Sequence, residues 1–383
     1  MASAFLVFSG SNDRAVLAFL RVLERCGERP CIVAWTAGDR VFRSRYRRYV
    51  VHTRESNVLD EEHFERCIEA VRRNSGTREF VVLPSSEYLN TFLLNHRGAV
   101  EAMGCRVPLV SRETYFQLTD KESAARMFAA GGYCIPAEYV SPRELRFPLV
   151  AKPRRNLGSG GRLLYPQFVG SAADFSRFQS RFDAPDFFFQ EHVCGESFYL
   201  LFHLSRSSKT DVVYSQHNLL QQPGGKSILV AAGANLHETE FGRSTVEFLR
   251  KLGFHGLGMI EFIQRDGEMV FIEMNPRIWG PSQLCADDSI PMLESFIGEQ
   301  LDRDAGRYVS RSRRSSLRRS YVWLGGIMQS LCRARLPVRL GNQPVWPTLI
   351  AHGLRDDVYL RRDSWRCFLY DFARAIAGVD NVG

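Results

Sequence analysis

The sequence predicts an α/β domain followed by an α+β region, and three observations lead there. Residues 1 to about 110 alternate short apolar runs with stretches of helical periodicity, a βαβ pattern that builds a parallel, doubly wound sheet. Phe198 to Asn218 instead alternates polar and apolar residues as antiparallel strands do. A chain of 383 residues also exceeds one ordinary core, so two to three domains are expected.

In the first region Ala4–Phe8 reads as a strand, and with no basic leader before it, as a first strand rather than a signal peptide. Asp13 opens a helix that stops at Cys26-Gly27, and Cys31–Trp35 is the second strand. Glu61–Arg73 is helical, Phe80–Leu83 a strand, and Tyr88–Met103 helical again. The loop Ser9–Asp13 is either a tight turn or an anion site at a helix N-terminus, and it lacks the GxGxxG fingerprint. Arg43–Arg48 is a dense basic stretch, read as a solvated loop or as a contact to an anionic substrate.

Further on, Asp120 caps an Ala-rich helix, which puts Lys121 in its first turn, where a cation opposes the helix dipole. Phe147–Pro153 is a strand carrying Lys152, followed by the loop Gly158, Ser159, Gly160, Gly161, whose backbone N–H groups can turn toward one anion. Gln222–Ser227 ends in GKS but has Leu220 where a Walker A loop needs Gly, so that motif is rejected.

Gly258–Ile263 and Phe271–Arg277 form a hairpin whose second strand alternates Glu273, Asn275 and Arg277 on one face. A carboxylate and a neutral oxygen suit Mg²⁺, and the guanidinium is placed to clamp phosphate. A three-residue loop, Arg265–Gly267, would put Glu261 on that same face; a two-residue Asp266-Gly267 loop would flip it away. The three-residue loop is the expectation. The plain alternative is an amphipathic hairpin with a solvated acidic face.

Glu261 followed by Glu273-Met274-Asn275-Pro276-Arg277 resembles the metal hairpin of the ATP-grasp ligases, in particular the modules of carbamoyl-phosphate synthase and carboxylate–amine ligases. The resemblance covers roughly residues 1–300. It implies a Rossmann-like domain (1–110), a small ATP-grasp subdomain with a Gly-rich lid (111–189), a C-terminal subdomain with the metal hairpin (190–300), and an unassigned Arg-rich linker and extension (301–383). It further implies that ATP is held by Lys121, Lys152, the lid Gly158–Gly161, backbone groups of Glu191 and Val193, and Glu196 on the ribose. Two Mg²⁺, with Mn²⁺ as a substitute, would bind Glu261, Glu273 and Asn275. Arg277 and Lys152 would be catalytic, and Lys226 and Ser227 would contact substrate. The implied reaction joins a small-molecule carboxylate to an amine through an acyl phosphate. A kinase on the same scaffold, or a nucleotide- or nucleic-acid-binding protein without ligase activity, are the alternatives.

Composition fits a globular enzyme: 45% hydrophobic and 24% charged residues, with no apolar run as long as a membrane span. The nearest such run, Tyr321–Cys332, is too short. Nine scattered cysteines without CxxC spacing suggest reduced thiols in a cytoplasmic protein. The net charge of +8 is concentrated at Arg40–Arg48 and Arg303–Arg319. The second stretch has no interleaved aromatics or RNA motif, so nucleic acid is not the expected partner, and a homo-oligomer is compatible with everything above.

Overall fold

The computed structural model describes residues 3–56, 58–141, 143–154, 164–303 and 319–378. The expected lid Gly158–Gly161 and most of the Arg-rich stretch lie outside them. The first layer runs β1 (Ala4–Phe8), α1 (Asp13–Arg25), β2 (Cys31–Ala34), β3 (Val50–Thr53), α2 (Glu61–Ser75), β4 (Phe80–Val82), α3 (Glu87–Asn95), α4 (Arg97–Ala102) and β5 (Cys105–Arg106). Its sheet order is β3-β2-β1-β4-β5, every pair parallel. The single helix expected over Tyr88–Met103 is two helices, broken at His96, which closes α3 and opens α4.

Two helices follow, α5 (Arg112–Thr119) and α6 (Lys121–Ala130). Asp120 caps α6 by accepting from the Ser123 N–H at 2.7 Å. The buried Phe128 of α6 stacks on Phe271 with ring centroids 3.8 Å apart, so aromatic packing fixes where the first turn of α6 lies. Next come β6 (Glu138–Tyr139), β7 (Leu149–Pro153), β8 (Gln167–Val169), α7 (Ala172–Gln179) and β9 (Phe187–Glu191), forming an antiparallel sheet ordered β6-β9-β7-β8.

The largest sheet holds β10 (Glu196–Leu204), β11 (Val212–Gln221), β12 (Ile228–Ala234), β13 (Gly256–Arg265) and β14 (Glu268–Asn275), with α8 (Glu240–Lys251) between β12 and β13. Gly195, between β9 and β10, passes so close to β13 that a Cβ there would lie 2.1 Å from the Gln264 carbonyl oxygen, so only glycine fits. After α9 (Gln283–Asp287) and α10 (Met292–Gln300) the chain continues through β15 (Ser320–Val322), α11 (Leu324–Cys332), β16 (Val338–Arg339), α12 (Val345–His352) and α13 (Trp365–Ile376). The sheet order is β14-β13-β10-β11-β12-β15, with β16 on β11. The segment beyond residue 300 is therefore built into the central sheet.

Ion pairs tie that segment to the first layer and to α9, and one lies within it. Arg21 Nε meets Asp363 at 2.8 Å, and Arg40 bridges Asp13 (2.8 Å) and Asp371 (3.0 Å). Arg361 meets Asp287 at 2.6 Å, and Arg319 meets Asp356 at 2.9 Å. In the basic stretch Arg45, Arg47 and Arg48 are exposed, as a solvated stretch would be, but Arg43 lies over the Tyr370 ring at 3.8 Å, and Arg45 and Arg48 both pair with Glu24. Its cations hold the C-terminal segment and helix α1.

Candidate functional site

The β13–β14 hairpin turns through two residues, Asp266 and Gly267, at φ 52° and 87°, a primed turn between the pair Arg265–Glu268. This corrects the expected three-residue loop. A two-residue loop alone would have put Glu261 on the wrong face. A bulge restores the parity: Phe262 pairs with Phe271 but Glu261 pairs with Glu273, leaving Ile272 as the extra residue. The two carboxylates therefore stand opposite each other on one face. Lys152 of β7 donates to the carbonyl of that bulged Ile272 at 3.2 Å, tying the small sheet to the hairpin at the carboxylates.

The row foreseen on β14 is present and internally bonded. Asn275 Nδ2 donates to Glu273 at 2.8 Å, and Arg277 Nη2 donates to Asn275 Oδ1 at 3.2 Å. Arg277 also donates to the Ile278 carbonyl at 3.0 Å. Lys121, Glu273, Asn275 and Arg277 line one cleft of about 150 Å³, with Glu87 and Thr119 at its wall. Burial and the facing Glu273 carboxylate push the Glu261 carboxyl up to about 7. Burial draws the Lys152 ammonium down to about 8, although Glu273 opposes that change.

Behind Glu261 runs a chain of buried polar groups that the sequence reading did not single out. Ser197 Oγ donates to Glu261 at 2.8 Å, Asn218 Nδ2 to Ser197 at 2.9 Å, and Gln216 Nε2 to Asn218 at 2.7 Å. Ser197, Gln216 and Asn218 are at most 1% exposed. Their signal in the sequence was Ser215-Gln216-His217-Asn218, a polar run inside a central strand. Tyr199, directly opposite Glu261 across β10 and β13, shares this face.

Other expected residues stand further out. The Glu191 N–H is already donated to the Ala137 carbonyl at 2.9 Å, and its carboxylate meets Arg265 at 3.0 Å. Val193 is buried in the link between the two sheets. Glu196 pairs with Gln264, which puts it on the sheet face opposite Glu261, where Gly341 packs against it. Lys226 reaches over the Tyr165 ring at 5.6 Å, and Ser227 Oγ accepts from Arg14 Nη2 at 2.9 Å. The free thiols Cys194 and Cys285 are exposed and buried respectively, and neither makes a hydrogen bond to the carboxylates.

Residues 206–287 match the family model described as carbamoyl-phosphate synthase L chain, ATP binding domain. The fold is similar to the biotin carboxylase domain of Hydrogenobacter thermophilus 2-oxoglutarate carboxylase, solved with MgADP and bicarbonate: TM-score 0.57, 14% identity, over 83% of this chain and 71% of that one. The chain has the ATP-grasp fold. N5-carboxyaminoimidazole ribonucleotide synthetase of Thermus thermophilus is similar at TM-score 0.56 and 14% identity, over 78% and 79%. Campylobacter jejuni biotin carboxylase, in its β,γ-ATP complex, is similar at 0.54 and 13%, over 82% and 72%. No curated protein sequence matches. In this ATP-grasp chain no helix among the described residues is long and apolar enough to cross a membrane. No group of three or more His, Cys, Asp or Glu that could hold a metal ion gathers among them either.

Proposed function

We propose that the chain is an ATP-dependent carboxylate–amine ligase that activates a small-molecule acid as its acyl phosphate. The single observation carrying this is the cleft lined by Lys121, Glu273, Asn275 and Arg277, with Glu261 paired to Glu273 across the hairpin and Lys152 bonded to the bulge at Ile272, in the order and chemistry of an ATP-grasp ligase. In this reading residues 1–110 are the Rossmann-like lead-in, 111–189 and 190–300 the two ATP-grasp subdomains, and 301–383 a brace on the second.

The donor set fits Mg²⁺. Two facing carboxylates and an amide oxygen are hard ligands, and among the described residues Glu261 makes no ion pair. Glu261, Glu273 and Asn275 would hold two ions, which would supply positive charge to neutralise the phosphoryl group being transferred. Lys121 and Lys152 bind phosphate oxygens, the loop Gly158–Gly161, outside the described residues, is the proposed lid, and Arg277 presents its fork to the transferring group. Glu191 and Val193 are the proposed adenine contacts through backbone groups other than the engaged Glu191 N–H, while Glu196, on the sheet face opposite Glu261, does not fit the ribose role the resemblance implied. Ser197 orients Glu261, and the chain back to Gln216 keeps Ser197 donating in that direction.

The test is an ADP-release screen of amino acids and small carboxylates against amines, with product masses. ADP, free phosphate and an amide product support the ligase. ADP with a stable phosphorylated product would replace it with a kinase.

A further inference from the structure

Most guanidinium groups that clamp the C-terminal segment have a carboxylate. Arg21 has Asp363, Arg40 has Asp13 and Asp371, Arg319 has Asp356 and Arg361 has Asp287. Arg14, in the first turn of α1, breaks this pattern. It is half-buried, and among the described residues it makes no ion pair. Its hydrogen bonds go to neutral oxygens: Nη2 to Ser227 Oγ at 2.9 Å and Nη1 to Tyr321 Oη at 3.3 Å. Its guanidinium lies over the Trp323 ring at 3.8 Å. A stacked guanidinium is held flat with its N–H edge fixed, the geometry that reads a carboxylate or phosphate bidentately. Taking a cation out of water without a counter-charge is unfavourable, and Ser227, Tyr321 and Trp323 hold it there all the same.

The position connects Arg14 to the reaction site. Asn12 and Arg277 both donate to the Ile278 carbonyl, each at 3.0 Å, which binds the β1–α1 loop to the end of the Glu273–Arg277 row. Gly280 abuts the Arg14 guanidinium, and a Cβ there would lie 3.5 Å from Nη2. Ser227 belongs to the β11–β12 loop, whose Lys226 reaches Tyr165 beyond the lid. Tyr199, opposite Glu261, feels both Arg277 and Arg14. Arg277 likewise makes no ion pair among the described residues, and both guanidinium groups act on Tyr199. Tyr321 and Trp323 come from the segment beyond residue 300 and are 1% and 6% exposed, so that segment supplies the backing wall.

We infer that Arg14, with Ser227 beside it and Tyr321 and Trp323 behind it, is the receptor for a second anionic group of the acceptor, a carboxylate or phosphate other than the one activated. This assignment rests on the ligase reading for its location beside the chemistry, but the anion site itself can be read without nucleotide. The ligase would then prefer a doubly functional acceptor, such as a dicarboxylate or an acid that also bears a phosphate, over a simple monoacid.

The experiment is thermal unfolding of the full chain with succinate or with inorganic phosphate, against chloride at equal ionic strength, for the parent, Arg14→Gln and Arg14→Lys. Succinate, phosphate or both should raise the parent Tm by at least about 2 °C, and both variants should lose most of that rise; Lys keeps the charge but not the fork. The anion that works names the group. A parent that does not respond, or variants that respond as the parent does, would overturn the site. In parallel, ADP release is compared for acids and their monoamides: the parent should favour the acid about tenfold or more, and Arg14→Gln should raise acceptor KM and erase that preference while MgATP affinity stays. Equal preference in parent and variant would overturn it too. A parent that responds to anions but never binds MgATP sinks the ligase reading and leaves the anion site standing.

Discussion

Two charged regions of this molecule are built on opposite principles. At the junction of the first layer with the C-terminal segment, buried charges are matched: Asp371, with a fully buried side chain, accepts from Arg40 Nε and from Trp323 Nε1, each at 3.0 Å. At the β13–β14 hairpin like charges face each other. Glu261 opposes Glu273, and among the described residues the Arg277 side chain bonds to an amide and a carbonyl and to no carboxylate. Matched charges hold a structure in one place. Unmatched ones store a deficit that a ligand can cancel, which is how perturbed groups come to mark functional sites.

The largest expected effect removes one side of the unmatched pair. Glu273→Gln should lower ADP-forming turnover by about a thousandfold, as loss of a metal-ion catalyst does, while leaving the metal-free Tm unchanged or higher, because repulsion on Glu261 is relieved. A fall in Tm with activity retained would make the hairpin a second matched region and erase the contrast.

Asp371→Ala does the reverse. It strands Arg40 and the Trp323 N–H, and should cost about 3 kcal/mol of stability, read by denaturant unfolding. MgATP affinity of the folded fraction should not change. Arg277→Ala should reduce turnover by about a hundredfold with nucleotide binding largely intact, the outcome of removing a donor aimed at developing charge. If it turns over like the parent, its hydrogen bonds to Asn275 and Ile278 are its whole role.

The smallest effect is a pH dependence within the matched region. Arg355, Arg319 and His352 side chains and the Ser320 N–H, acting against burial, hold the Asp356 carboxyl down to about 2. Its folded value is depressed, so its stabilisation is complete above the unfolded carboxylate range near 4 and is lost as pH falls toward 2. At neutral pH it amounts to about 2 kcal/mol. Asp356→Asn should flatten the acid limb of the stability curve over that window. An unchanged limb would show that other carboxylates set it.

The same contrast explains what the sequence disclosed. Alternation on β14 displayed Glu273, Asn275 and Arg277, and the cap Asp120 placed Lys121, because both depend on local periods. The facing of Glu261 was foreseen through the wrong loop. The turn is the Asp266-Gly267 pair that local rules favour, and the correction comes from the bulge at Ile272, beside which Lys152 arrives from another sheet. Ser197 and Asn218 carry no motif and gain meaning only from the register of β10 on β11 and β13. Strands as short as β15 and β16 have no period to read, and one partner of Arg40, Asp371, lies more than 300 residues away.

The most direct test is calorimetric titration of ATP into the full chain with and without Mg²⁺, for the parent, Glu273→Ala and Asp371→Ala. The account predicts Mg²⁺-dependent binding in the parent and in folded Asp371→Ala, and its loss in Glu273→Ala. Binding that ignores Mg²⁺, or that survives in Glu273→Ala at parental strength, would contradict it.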